Sequence, residues 1–117
     1  MRHWLACLWL LGLAACTQPE DASTKIVVGA TLAESGTGRL IEHSIVIVDD
    51  GIVRAVGPQE SVAVPRGSKK INGLGKFIRP LDPSHPVRAG ETANFGLYDA
   101  HSHLVGRMIG PRWEPVP

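Results

Sequence analysis

Ser44-Ile45-Val46-Ile47-Val48-Asp49-Asp50-Gly51-Ile52-Val53-Arg54-Ala55-Val56 sets two runs of β-branched and apolar residues on either side of Asp50-Gly51. β-Branched side chains suit a pleated, half-buried surface, and Asp-Gly tolerates the positive φ that a tight hairpin demands. The stretch therefore predicts an antiparallel hairpin, with strands over Ser44 to Val48 and Ile52 to Val56.

Working outward, the same texture recurs. Ile26-Val27-Val28-Gly29-Ala30-Thr31-Leu32 reads as an earlier strand, and Ala33 to Arg39, with Gly36 and Gly38, as a turn. Gly57-Pro58 ends the hairpin. Val62-Ala63-Val64 is a further short candidate, and Lys69 to Asn72 and Lys76 to Ile78 straddle a turn around Gly73 and Gly75. Short strands at regular turn spacing predict a mainly β fold, a small β-sandwich or open barrel. From Arg79 to Gly96 the texture breaks, because Pro80, Pro83 and Pro86 alternate with charged and small residues and predict a loop without a core.

Composition narrows the function. At 117 residues the chain has room for one small domain. Its 12 lysines and arginines against 11 acidic residues give no field that would draw nucleic acid, and 5% aromatic content provides no base-stacking platform. The two cysteines, Cys7 and Cys16, both lie near the N-terminus, which leaves no disulfide framework and no cysteine-rich zinc motif in the body.

Their position suggests targeting. Arg2 and His3 precede the apolar run Trp4 to Leu13, then Ala14-Ala15-Cys16 and a polar tract. This is the layout of a secretory signal, with a run too short for a permanent bilayer span. Leu13-Ala14-Ala15-Cys16 resembles the lipobox of bacterial lipoproteins. That resemblance implies removal of residues 1–15, acylation of Cys16, membrane lipid as a partner, and a tether over residues 16–24. Thr17 after the cysteine is not an aspartate, which by the usual sorting rule favours the outer membrane of a Gram-negative cell, facing the periplasm.

Near the other end stands Gly96-Leu97-Tyr98-Asp99-Ala100-His101-Ser102-His103-Leu104. In a strand over 97–104, Asp99, His101 and His103 would share one face. Two imidazoles so placed can grip one metal ion, although such a pair is also common among surface and core histidines. Asp82 and His85 in the proline-rich loop are further candidate ligands, with solvated loop residues as the simpler reading.

Taken in order, Lys25 to Leu32, Ile45 to Gly57, Gly75 to Ile78 and Leu97 to Leu104 resemble the opening of metal-dependent amidohydrolases of the imidazolonepropionase-like and related groups. The resemblance implies a β-sandwich over residues 25–78, a proline-rich loop over 79–96, the first strand of an otherwise absent (β/α)8 barrel over 97–104, and a truncated tail over 105–117. It implies that His101 and His103 ligate a divalent metal, usually zinc, with Asp99 orienting an imidazole from behind. The implied chemistry is hydrolysis of a carbon–nitrogen bond in a small-molecule amide by metal-activated water.

Three departures stand against it. Asn94-Phe95-Gly96 replaces the family's usual Pro-Gly, the extra loop Arg79 to Thr92 separates elements that normally almost touch, and beyond His103 the chain has no His, Lys or Asp and a single acid, Glu114. A catalytic zinc wants about three protein ligands. The isolated chain is therefore expected to lack a complete site and to be inactive alone. Two other readings are a small non-catalytic lipoprotein β-domain with a binding or structural role, and a metal-binding protein that recruits a loop residue beside His101 and His103.

Overall fold

Asp50 and Gly51 both adopt left-handed backbone, with φ of 55° and 83°, in a computed structural model that describes residues 23–34 and 36–117. They join β4 (Ser44–Asp49) to β5 (Ile52–Pro58) antiparallel, with Ile45 opposite Gly57 and Ile47 opposite Ala55. The register shifts after Ile47, so that Val48 faces Val53. This bulge turns β5 and re-aims Val53 into the core.

β1 (Thr24–Val28) pairs antiparallel with β4 and parallel with β6 (Lys69–Asn72), which gives a four-stranded sheet of order β5-β4-β1-β6. Both its faces are apolar. Val27, Val46, Val48 and Val53 face the main core, while Ile26, Ile45 and Ile47 form a second cluster with Val28, Ala55 and Val62. A sheet covered on both sides needs continuous apolar runs, which is why β4 does not alternate. Val62, expected in a strand, instead follows a single 3-10 turn at Gln59–Ser61 and packs on that second face.

The second sheet has the order β10-β9-β8-β7-β2-β3, from β2 (Thr31–Ala33), β3 (Leu40–Ile41), β7 (Phe77–Pro80), β8 (Asn94–Tyr98), β9 (Leu104–Ile109) and β10 (Arg112–Pro115). Two stretches cross from one sheet to the other side by side: β1 lies parallel to β6, and their continuations β2 and β7 are parallel as well. The turn around Gly73 and Gly75 is therefore a crossover between sheets. Gly73 is required there, since a Cβ would lie 2.9 Å from the Ala30 Cβ. Buried Ser44 is satisfied at the same crossing, its hydroxyl donating to the Ala30 carbonyl at 2.7 Å. The chain is thus mainly β, two mixed sheets stacked as a small sandwich around Leu32, Val46, Ile78, Phe95, Leu97 and Met108.

Three expected boundaries are corrected. The stretch 97–104 is not one strand: β8 ends at Tyr98, a turn follows, and β9 starts at Leu104. Folding back lets Phe95, Leu97 and Met108 share the core, which a lone strand without barrel neighbours could not do. The tail 105–117 is the β9–β10 hairpin. The proline-rich loop runs only between Pro80 and Asn94, and it does feed the core, through Val87 and Ala93. Its end also lies along β5, where the Val53 N–H donates to the Glu91 carbonyl and the Gly90 N–H to the Val53 carbonyl, both at 2.8 Å. Backbone bonds that would otherwise leave an open sheet edge are satisfied this way.

The expected signal segment, Cys16 and most of the tether lie outside the described residues. Thr24, placed in the tether, is the first residue of β1. Among the described residues no helix is long and apolar enough to cross a membrane.

Candidate functional site

Asp99 ends β8 because its carboxylate folds the backbone around itself. Its Oδ1 accepts the N–H groups of His101 at 2.8 Å and His103 at 2.9 Å. The Asp99 N–H in turn donates to the His103 carbonyl, and the Ser102 N–H to the Asp99 carbonyl. Ser102 takes φ of 65° to close the loop. An aspartate that binds backbone N–H groups just ahead of it offers the chain an alternative to the sheet ladder, and here that alternative prevails. Asp99, His101 and His103 therefore share a turn and not a strand face.

The His103 N–H, and after it the His101 N–H, hold the Asp99 carboxyl below the usual carboxylate range, against the opposing pull of its partial burial. The same carboxylate reaches an imidazole: Asp99 Oδ2 lies 3.5 Å from His103 Nδ1. His101 and His103 are both exposed, with ring centroids 6.2 Å apart and planes 30° from parallel.

Whether these residues fit a metal follows from counting donors. Two imidazoles on one tetrahedral ion place their nitrogens about 2.0–2.1 Å from it, and two solvated side chains at this separation can rotate to that geometry. Asp99 Oδ1 already holds two N–H groups. Asp82 and His85 do not help. The Asp82 Oδ1 accepts the Ser84 N–H and hydroxyl, its Oδ2 lies 3.5 Å from His85 Nδ1, and its carboxyl is held low chiefly by the Ser84 N–H. Among the described residues no three of His, Cys, Asp and Glu come together to hold a metal ion. The turn thus fits two imidazole ligands with water completing the shell, and it does not fit a three-ligand catalytic centre.

Glu114, the last acid in the chain, is occupied as well. Arg107 Nε donates to its Oε1 and an Arg112 guanidinium nitrogen to its Oε2, each at 2.8 Å, and Arg107 foremost keeps its carboxyl low. A hollow of about 310 Å3 over Leu32, Ile41, Val56 and Val87 contains none of the histidines. One residue beside the turn escaped the sequence reading: Arg79, assigned to the loop, belongs to β7 and reaches Ser102. Only the β7–β8 register, which sequence does not display, brings them together.

No protein-family model matches this chain, and no curated protein does. Among solved structures it is similar to molinate hydrolase, at 29% identity over 50% of this chain and 13% of that one, with a TM-score of 0.45. A putative prolidase from Bifidobacterium longum is similar at 21% identity over 50% of this chain and 15% of that one, TM-score 0.45. A prolidase complexed with N-methylphosphonate-L-proline is similar at 24% identity over 49% and 14%, TM-score 0.42. The chain spans 13–15% of the length of these proteins.

Proposed function

We propose that this chain is the N-terminal β-portion of an amidohydrolase-type, metal-dependent hydrolase of carbon–nitrogen bonds, contributing His101 and His103 as metal ligands and lacking hydrolytic activity by itself. The observation that carries the reading is the turn: Asp99 gathers two backbone N–H groups and approaches the His103 Nδ1, which leaves both imidazoles exposed side by side with no third donor among the described residues. A divalent metal, zinc by resemblance, would supply Lewis acidity and a lowered water pKa when bound. The role of Asp99 is to fix the His103 ring so that Nε2 points away from the turn. Small-molecule amides are the proposed substrate class of the whole enzyme. Acylation of Cys16 would tether the domain to membrane lipid, on the periplasmic side of an outer membrane.

A second reading, a non-catalytic lipoprotein β-domain, is favoured by one observation. β8, β9 and β10 form a continuous meander that buries Phe95, Leu97 and Met108, so the sandwich closes without any barrel. The reading frame downstream separates the two, since the first requires further His and Asp motifs there.

Calorimetric titration of the 117-residue chain with zinc tests the metal site. Weak binding that disappears in a His101→Ala, His103→Ala double variant is expected. Tight stoichiometric binding that survives the substitutions would place the site elsewhere, and metal-dependent turnover of an amide by the purified chain would refute the claim of inactivity.

A further inference from the structure

Arg79 is the guanidinium on the outer face of the second sheet that has no carboxylate partner among the described residues. Strand register sets it opposite Gly96, with Arg107 and then Glu114 beyond on the same face. Arg107 and Arg112 are both spent on Glu114. Arg79 instead lies over the Tyr98 ring, its central carbon 5.1 Å from the ring centroid, and one terminal nitrogen donates to Ser102 Oγ at 3.4 Å.

Gly96 makes this arrangement possible. A Cβ there would lie 2.8 Å from Tyr98 Cε1 and 2.7 Å from Leu104 Cδ1, so its absence lets the Tyr98 ring lean over the strand and form a platform. A guanidinium stacked on an aromatic face is held flat, and less side-chain freedom is lost when it binds. Because the Ser102 oxygen accepts from Arg79, its hydroxyl proton is left to donate outward, next to the remaining guanidinium N–H groups. The acid in the turn is engaged elsewhere, Asp99 Oδ1 with the His101 and His103 N–H groups and Oδ2 facing the His103 ring nitrogen.

We propose that Arg79 and Ser102, on the Tyr98 platform, bind a small oxyanion, the phosphate or carboxylate group of a soluble molecule, beside the Asp99–His103 turn. A planar fork and one hydroxyl lie side by side, 3.4 Å apart, which suits two oxygens of one anionic group. The site needs no metal, so it stands or falls apart from the zinc reading.

The test is an amide and Arg side-chain NMR titration of the full chain, freed of metal by passage over a chelating resin, with sodium phosphate and sodium acetate as probes and sodium chloride at matched ionic strength as control. Saturable shifts at Arg79 Nε and the Ser102 amide with phosphate or acetate, absent with chloride, are expected. Arg79→Gln should weaken binding about tenfold or more, the loss of one charge-assisted hydrogen-bonded pair. Arg79→Lys should recover part of it, and Arg107→Gln, on the same face, should leave it unchanged. Equal shifts with chloride, or saturation undiminished in a folded Arg79→Gln variant, would overturn the proposal. The spectrum of each variant reports its folding, and Ser102→Ala, which keeps the turn's backbone bonds, gives a second route to the same answer.

Discussion

Asp99 and His103 are joined three times over: the His103 N–H donates to Asp99 Oδ1 at 2.9 Å, the Asp99 N–H donates back to the His103 carbonyl, and Asp99 Oδ2 lies 3.5 Å from the His103 ring nitrogen. One carboxylate both shapes the turn and lies beside an imidazole. Its folded pKa lies below the ordinary 3.8, so its contribution to stability is fully present above that value and is lost as pH falls through the folded one. Asp99→Asn can still accept both N–H groups but carries no charge. The difference in denaturation midpoint between parent and variant should therefore be present at about pH 5 and shrink as pH falls below about 4. Asp82 and Glu114 also titrate low, which is why the difference between the two chains, and not either curve alone, is the quantity to read. A difference that persists unchanged at pH 2 would show that the charge plays no part.

Cys16 tests the lipoprotein expectation separately. If it is the acylated first residue of the mature chain, Cys16→Ser should accumulate as unprocessed precursor, while the parent appears shorter and partitions with detergent. A Ser variant that is cleaved and fractionates like the parent would rule out the lipobox.

What could be read from the sequence was what local chemistry decides. Asp50-Gly51 had to be a hairpin turn, because few other pairs sit comfortably at two successive positive φ values, and the structure has both. The strand between Leu97 and Leu104 failed for the opposite reason. Alternation of Asp99, His101 and His103 suits a strand, but an aspartate's preference for the N–H groups ahead of it favours a turn equally, and the choice fell to a distant contact, Met108 reaching Phe95 across the β8–β9 ladder. Parallel pairing of β1 with β6 and of β2 with β7 leaves no local trace, so Gly73 and Gly75 read only as a turn, and the structure makes that turn a crossover between sheets. Val87 was hidden among prolines. Arg79 and Ser102, 23 residues apart, meet only through the β7–β8 ladder.

Phe95 should carry the sandwich. It is fully buried among residues of both sheets, and truncation to alanine removes a large side chain from a core that can relax only in part. Urea denaturation should show a loss of about 3–5 kcal/mol for Phe95→Ala, a large share of the roughly 5–15 kcal/mol that stabilises a typical domain. Leu40, 62% exposed on the edge strand β3, is the control, and Leu40→Ala should change stability by no more than about 0.5 kcal/mol. Equal effects would mean that the second sheet does not pack on the first as described.

Gly106 and Trp113 make the sharpest packing test because the indole occupies the space a side chain at 106 would need. Trp113 lies on β10, diagonal to Gly106 across the β9–β10 ladder, and a Cβ at 106 would run into its six-membered ring. The contact is with a half-buried ring that packs against the core, so moving it aside would cost part of that packing. Gly106→Ala should therefore destabilise by about 1–3 kcal/mol and shift the Trp113 indole N–H resonance. Trp113→Ala alone should also destabilise, through lost burial. Combined with Gly106→Ala, however, it removes the clash, so the double variant should be more stable than the sum of the single losses predicts. Strict additivity in that cycle would mean that Trp113 does not lie over Gly106, and that the β9–β10 hairpin packs differently on the sandwich.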